Sequence, residues 1–489
     1  MWEPPTSAAP SGDVSRIRRA ARLLTEITFI VALTIFLIQF TTIPLRVAAV
    51  PIMAVPGVCT LFHVGVCVWE DRLRLFSKKQ KSLRGYLKPL DGIVLVFLAA
   101  TALWLTAVPV ARGFSVGMAL REAGLLLVIV IYFPLAVLLR MGEFSLRRFY
   151  KILWMVLLAL ALWHVAMWLG EYYHPGFYAA FFGFIFAHTG DLLPQGTLIG
   201  QANAPRVVQA CSVILPLGIL LLLGREEKPR WWQYLAIFFF SFAVAGTLLK
   251  SLWFGCIAAG AVLVAGYVVL RWKRNDRRLS FAVPRVIGAV LASLILLNYT
   301  WFGGLLSSDI MKAFQLPGGS GGSSSVTVVS EPPAWWSPEE QTLGTTTSNS
   351  IKVEQIGKLI ARWEAAPLTG FGYGSYIPDY LRSSLAPYAY EMTGFALLMK
   401  LGVLGCAAWL LLLVGVIWHT VKYGRRRPFR VVVWLAALFC FAVTVQTNPF
   451  LLTPNGIGLI LLLLVDSVSM ERTSDILPRG GAVARPSSK

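Results

Sequence analysis

Apolar runs of membrane-spanning length recur along this 489-residue chain, and that repetition narrows its possible folds more than any other feature. A helix needs roughly 20 mostly apolar residues to cross the hydrocarbon core. Such runs fall near 23–42, 45–69, 90–110, 118–139, 150–170, 206–223, 232–249, 252–271, 284–306, 390–418, 430–447 and 455–470. They predict an all-α, polytopic membrane protein with about twelve transmembrane helices. Composition agrees: 14% of residues are charged, against roughly a quarter in a soluble domain.

The formal net charge of +20 would suit nucleic acid, but its placement points elsewhere. Of the 44 Lys and Arg residues, 33 lie before the first run, in 70–88, 140–151, 224–230, 271–285 and 422–430, or after the last run. In an alternating twelve-span chain these segments share one side. The positive-inside rule puts that side, with both termini, in the cytoplasm. The charge is then topology, and no nucleic-acid partner is expected. No small-residue cleavage site follows the first apolar run, so 1–22 reads as a cytoplasmic tail, as does 471–489. Spans one to nine would occupy 23–306 and spans ten to twelve 390–470.

Two long segments face the other side, 171–205 and 307–389. Within the second, 317–350 is rich in Gly, Ser, Thr and Pro and reads as a flexible stretch. Residues 351–366 differ, with Ile351, Ile356, Leu359, Ile360 and Trp363 at helical spacing. They predict an amphipathic helix on the outer membrane surface, ended by Pro367. The motif "GFGYGSY" over 370–376 follows it directly. Its glycines allow positive φ and close backbone approach. Phe371, Tyr373 and Tyr376 suit sugar stacking or an aromatic belt. No strand precedes the motif, so it is not a nucleotide fingerprint.

The eleven basic residues on the outer side or within spans are costly there, and each needs a reason. Arg46, Arg112 and Lys312 read as snorkelling or locally paired. Lys250 sits at a tight turn between two spans, where Ser251 can cap the next helix and phosphate suits the helix N-terminus. It could also simply mark the turn. Arg206 stands at the start of span six behind Asn203 and Pro205, another cation at a helix start, or else a headgroup contact. Arg362 follows Lys358 by one turn on the amphipathic helix, and a guanidinium fork suits phosphate oxygens. Glu391, at the mouth of span ten, can serve as a general base or merely complement a helix N-terminus. Lys400 falls on the opposite helical face from Glu391 and reads as a structural ion-pair partner. The six cysteines show no paired metal spacing, nor do His174 and His188. No metal or cofactor is expected.

Four segments in order, "TLIGQANAPRVVQACSVILPLGILLLL", "TLLKSLWFGCIAAG", "ARWEAAPLTGFGYGSY" and "YEMTGFALLMKLGVLGCAAWLLLL", together resemble the O-antigen ligase and Wzy-type polymerase superfamily of bacterial surface glycan assembly. The resemblance implies a metal-independent transferase using undecaprenyl-diphosphate-linked glycan on the outer face of the inner membrane, with a glycan acceptor. It also admits a chain-length regulator and a flippase as partners. Two positions depart from the family. Lys250-Ser251 stands where Ser-Arg is common, and Tyr390-Glu391 where ligases carry His-Asn. The missing histidine argues against a lipid A-core ligase; a polymerase of lipid-linked repeat units, or a related ligase with a carboxylate base that serves another acceptor, fits better.

The expected site therefore has Glu391 as base and Lys250, Arg362 and Arg206 on the diphosphate. Asn203, Ser251, Lys358, Gly372, Tyr373, Tyr376 and Tyr390 would help bind substrate. A lipid-linked glycan transporter and a non-catalytic scaffold are the competing classes; a transporter should show internal repeats and helices broken near mid-membrane.

Overall fold

The computed structural model describes residues 16–38, 43–74, 88–177, 180–181, 197–201, 204–208, 210–224, 230–274, 279–302, 348–381, 386–447 and 449–476. Its helices are α1 (Arg16–Ile38), α2 (Ile43–Arg74), α3 (Pro89–Leu105), α4 (Ala107–Ala111), α5 (Val116–Ala123), α6 (Tyr132–Met141) and α7 (Arg147–Tyr173). A hairpin, β1 (Thr197–Gln201) with β2 (Ala204–Val208), follows. Then come α8 (Leu215–Leu223), α9 (Trp231–Gly246), α10 (Lys250–Arg274), α11 (Leu279–Thr300), α12 (Ser348–Glu364), α13 (Thr393–Tyr423), α14 (Pro428–Thr444) and α15 (Pro454–Ile476). A 3₁₀ stretch, Gly124–Ile131, joins α5 to α6.

Among the described residues, nine helical stretches are long and apolar enough to cross a membrane. Three shorter apolar helices, Cys211–Leu223, Trp231–Gly246 and Pro428–Thr444, sit where the remaining spans were predicted. The protein is thus a helical membrane protein by length and composition of its helices.

Two spans differ from expectation. Span six was predicted from residue 206, but Arg206 lies in β2, paired with Ile199, and the helical turn begins only at Ala210. Pro205, Val207 and Val208 belong to that strand, where β-branched residues are favoured. Span ten is broken: Gly402 has φ 60 and ψ −169, non-helical values inside α13. The break separates a short leading piece from the long helix that follows it.

Small residues bring the helices close, as in membrane bundles generally. Gly255 and Gly266 of α10 face Cys440 and Val432 of α14. Gly218 of α8 lies under the Phe240 ring of α9, and Gly405 of α13 beside Trp104 of α3. Asn455 of α15 donates to the Leu37 carbonyl at 2.5 Å.

One end of the bundle carries the described basic residues Arg18, Arg22, Arg140, Arg148 and Arg430, and a buried ionic clamp. Arg140 bridges Asp91 and Glu471 at 2.7 Å each, all three 5% exposed or less. His419 meets Glu471, and Tyr132 donates to Asp91 at 2.6 Å. These contacts join the first turn of α3 to α6 and to the last parts of α13 and α15. The candidate site lies at the opposite end.

Candidate functional site at the opposite end of the bundle

The glycine motif is built against the protein's own backbone. Gly370, Gly372 and Gly374 have φ of 63, 87 and 76, values that side-chain-bearing residues rarely adopt. A Cβ on Gly372 would come within 2.5 Å of Pro109, and one on Gly374 within 2.6 Å of Met118. Gly372 N donates to Lys400 O at 2.7 Å and Tyr373 N to Trp104 O at 3.1 Å. Gly374 N donates to Glu122 at 2.6 Å. The close approach expected for a ligand at Gly372 is therefore an approach to the chain itself. Two of the expected sugar-binding tyrosines are likewise interior. Tyr373 is buried with its hydroxyl accepting from Trp409 at 3.1 Å. Tyr390 is buried with its hydroxyl accepting from Ile377 N at 2.8 Å. Tyr376 is only half-buried, edge-on to Phe114.

A buried ion pair supports this loop. Lys400 meets Glu122 of α5, and its ammonium also donates to the Tyr388 carbonyl at 2.6 Å. Glu122 thereby ties Lys400 to Gly374 across the break in α13. Burial pushes the Tyr390 phenol up to about 12, with Glu122 adding to the shift. Tyr390 stays protonated near neutral pH and cannot act as a base there.

Two arginines stand over one ring. The Arg362 guanidinium carbon is 4.0 Å from the Phe371 centroid, and that of Arg112 is 5.6 Å away. Arg112 also donates to the Thr369 hydroxyl at 3.2 Å. Among the described residues neither pairs with a carboxylate, and the Nε of Arg362 is buried without an acceptor. Arginines with open forks, held on an aromatic face, suit an anion. The predicted surface helix, α12, turns its apolar face onto the protein: Leu359 packs with Phe371, Tyr390 and Met399, and Gln355 accepts from Met392 N at 3.0 Å. Lys358 points away from this and pairs with exposed Asp379 at 3.5 Å, a contact worth little in solvent.

Glu391 lies just before α13 and is one-third exposed, with Lys352 at 3.9 Å. It remains accessible as a base. Because of the break at Gly402, it precedes the short leading piece of α13, whose N-cap is Met392, and not the long span.

Lys250 is the first residue of α10, directly after the turn from α9. Leu248 takes φ 48 there, an uncommon value for a residue with a side chain. Thr247 accepts from Leu249 N at 3.2 Å, so the turn's hydroxyl is Thr247, while Ser251 lies buried inside α10. Lys250 is exposed, with no partner among the described residues. Below it, Trp253, Cys256 and Ile257 of α10 line an apolar groove of about 670 Å³ between α8, α9, α10 and α11.

The structure thus gathers Arg362, Gly372, Tyr373, Tyr376 and Tyr390 on one loop unit. Lys250 belongs to the neighbouring turn: Gly394 of α13 faces Gln446, and Thr444 faces Gly255 of α10. Arg206 is on the hairpin instead of at a helix start, and Asn203 lies outside the described residues. Arg112 and Glu122 are the additions. Arg112 was visible as a lone charge beside an apolar run and Glu122 as one of an adjacent Arg121–Glu122 pair beside another, and charges so placed are commonly functional or paired in membranes.

No protein-family model, curated protein or solved structure matches this chain.

Proposed function

We propose that the protein is a glycosyltransferase that takes glycan from undecaprenyl diphosphate and polymerises repeat units at the outer face of the bacterial inner membrane. The observation that carries this reading is the apolar groove with exposed Lys250 above it. Such a groove suits a prenyl tail, and the lysine suits the diphosphate at its head. On this reading the three shorter apolar helices also cross the membrane, for twelve crossings in all. The basic end then faces the cytoplasm with both termini, and 307–389 faces the periplasm.

In the reaction, a sugar hydroxyl attacks the anomeric carbon as the bond to the diphosphate oxygen breaks. Glu391 takes the hydroxyl proton. The electron pair leaves with the lipid diphosphate, where Lys250, Arg362 and Arg112 supply positive charge. Preorganised charge of this kind is worth several kcal/mol in a site shielded from water. One displacement without a nucleophilic carboxylate inverts the anomeric centre.

A ligase using a separate glycan acceptor fits the same residues. The transporter reading draws on the break in α13, since broken helices mark transport sites. Yet the freed groups are already taken: Val403 N donates to Pro367 O at 2.9 Å and Leu404 N to Leu368 O at 3.0 Å. The break seats the glycine loop instead of a cargo. Purified protein incubated with lipid-linked repeat unit alone decides among these. Polymer growth supports the polymerase. Transfer only after acceptor is added supports the ligase. No glycosidic product under either condition overturns both.

A further inference from the structure

We propose that His63, Cys67 and Glu143 form a structural site for a zinc-class divalent ion at the basic end of the bundle, away from the candidate active site. His63 and Cys67 are one turn apart on α2 and so share a face. That face points inward, and both residues are fully buried. Glu143 comes from another element. Gly142 ends α6 with φ 85, and Glu143 N returns to Leu138 O at 2.9 Å. This helix-ending turn fixes where the carboxylate stands. One ligand atom from each of the three residues lies within 4.8 Å of the other two.

The second observation is the imidazole itself. Neither ring nitrogen of buried His63 has a hydrogen-bond partner among the described residues. A neutral imidazole has one donor and one acceptor, and interiors rarely leave both unmade. Its Nε2 lies 4.0 Å from Oε2 of Glu143, too far for a hydrogen bond but suited to an ion between them. Zinc bonds of about 2.0–2.3 Å hold ligands roughly 3.3–3.7 Å apart, so side-chain shifts of about an ångström close the site. One nitrogen, one sulfur and one carboxylate oxygen favour zinc-like ions over magnesium or calcium.

Charge also balances. Cys67 would bind as thiolate, releasing its proton, so the dication meets one thiolate and one carboxylate. Arg18 holds the other oxygen of Glu143 at 2.6 Å, the kind of outer contact that orients a metal-binding carboxylate. The remaining charges nearby, Arg22 and Arg148, are both engaged by Glu26. A bound ion would tie α2 to the α6–α7 connection.

The test uses the full chain in detergent, with any affinity tag removed and metal stripped by chelator, then titrated with Co²⁺. The expected result is one ion per chain with thiolate-to-cobalt charge-transfer absorption, displaced by Zn²⁺. Cys67→Ser abolishes that band, Cys59→Ser keeps it, and His63→Gln weakens binding at least tenfold. X-ray absorption of the zinc-loaded wild type needs no variant to fold and should read one sulfur in the coordination shell. A sulfur-free shell, a band that survives Cys67→Ser, or no stoichiometric binding overturns the proposal.

Discussion

Gly370 and Gly402 touch backbone to backbone: a Cβ on either would come within 2.6 Å of the other's amide nitrogen. Both have positive φ, 63 and 60. Their contact is what lets the glycine motif sit in the break of α13. Gly370→Ala and Gly402→Ala should each lower the thermal midpoint in detergent, since left-handed backbone and overpacking cost about 1–3 kcal/mol apiece. Gly357→Ala is the control. It lies mid-helix in α12 with nothing within 4 Å of an added Cβ, and should be neutral or slightly stabilising.

The Glu122–Lys400 pair gives a second prediction. Removing one partner of a buried pair strands the other charge, at about 3–5 kcal/mol. Glu122→Gln and Lys400→Met should each destabilise the protein strongly, while the double variant should recover part of the loss. Denaturation of the four proteins in detergent reads this as a coupling energy. Additive effects would mean that the two charges do not depend on each other.

That pair also marks what the sequence could and could not reveal. The spans and the sidedness of charge are local properties, readable from runs of apolar residues and counts of Lys and Arg. Lys400 was recognisable as needing a partner, but the partner lies 278 positions away and no local spacing points to it. The glycines announced close approach without saying to what; only the fold shows Pro109, Met118 and Gly402 there. Arg206 was misread because the apolar residues after it continue smoothly into α8, hiding a short hairpin at the junction. His63 and Cys67 escaped a search for paired cysteines, although their one-turn spacing was in plain view.

The cations separate by role. Arg362→Ala and Arg112→Ala should each reduce transfer by about ten- to a hundredfold, a loss of roughly 1.4–2.8 kcal/mol of transition-state stabilisation. Lys250→Ala should abolish transfer at normal expression, and Lys250→Arg should retain much of it. Lys358→Ala should leave the rate unchanged, because Lys358 turns toward Asp379. Equal, mild effects at all four positions would reduce them to general surface charge.

Tyr390 carries a pH signature. Its folded pKa is raised to about 12, above the usual value near 10. The stability it contributes is therefore fully present below pH ~10 and lost as pH rises through about 12. Thermal midpoints across that window should fall in the wild type and fall less in Tyr390→Phe. Near neutral pH the same variant should keep its pH–rate profile, since the phenol is not the base. It should lose some stability, because Ile377 N would be left without its acceptor.

In the proposed reaction Glu391 is the group for proton removal, and its surroundings sharpen the test. It is accessible, next to Lys352 and clear of the buried Glu122–Lys400 pair. The two carboxylates should therefore respond differently to amide substitution. Glu391→Gln keeps size and hydrogen bonding but cannot accept the hydroxyl proton. Turnover at saturating donor should drop about 10²- to 10⁴-fold, with donor affinity and thermal midpoint nearly unchanged. Glu122→Gln should instead lower the midpoint, with activity following the folded fraction. Lys352→Ala, which removes the cation 3.9 Å away, should change turnover far less than Glu391→Gln. A Glu391→Gln enzyme that turns over at the wild-type rate returns Glu391 to a helix-end charge.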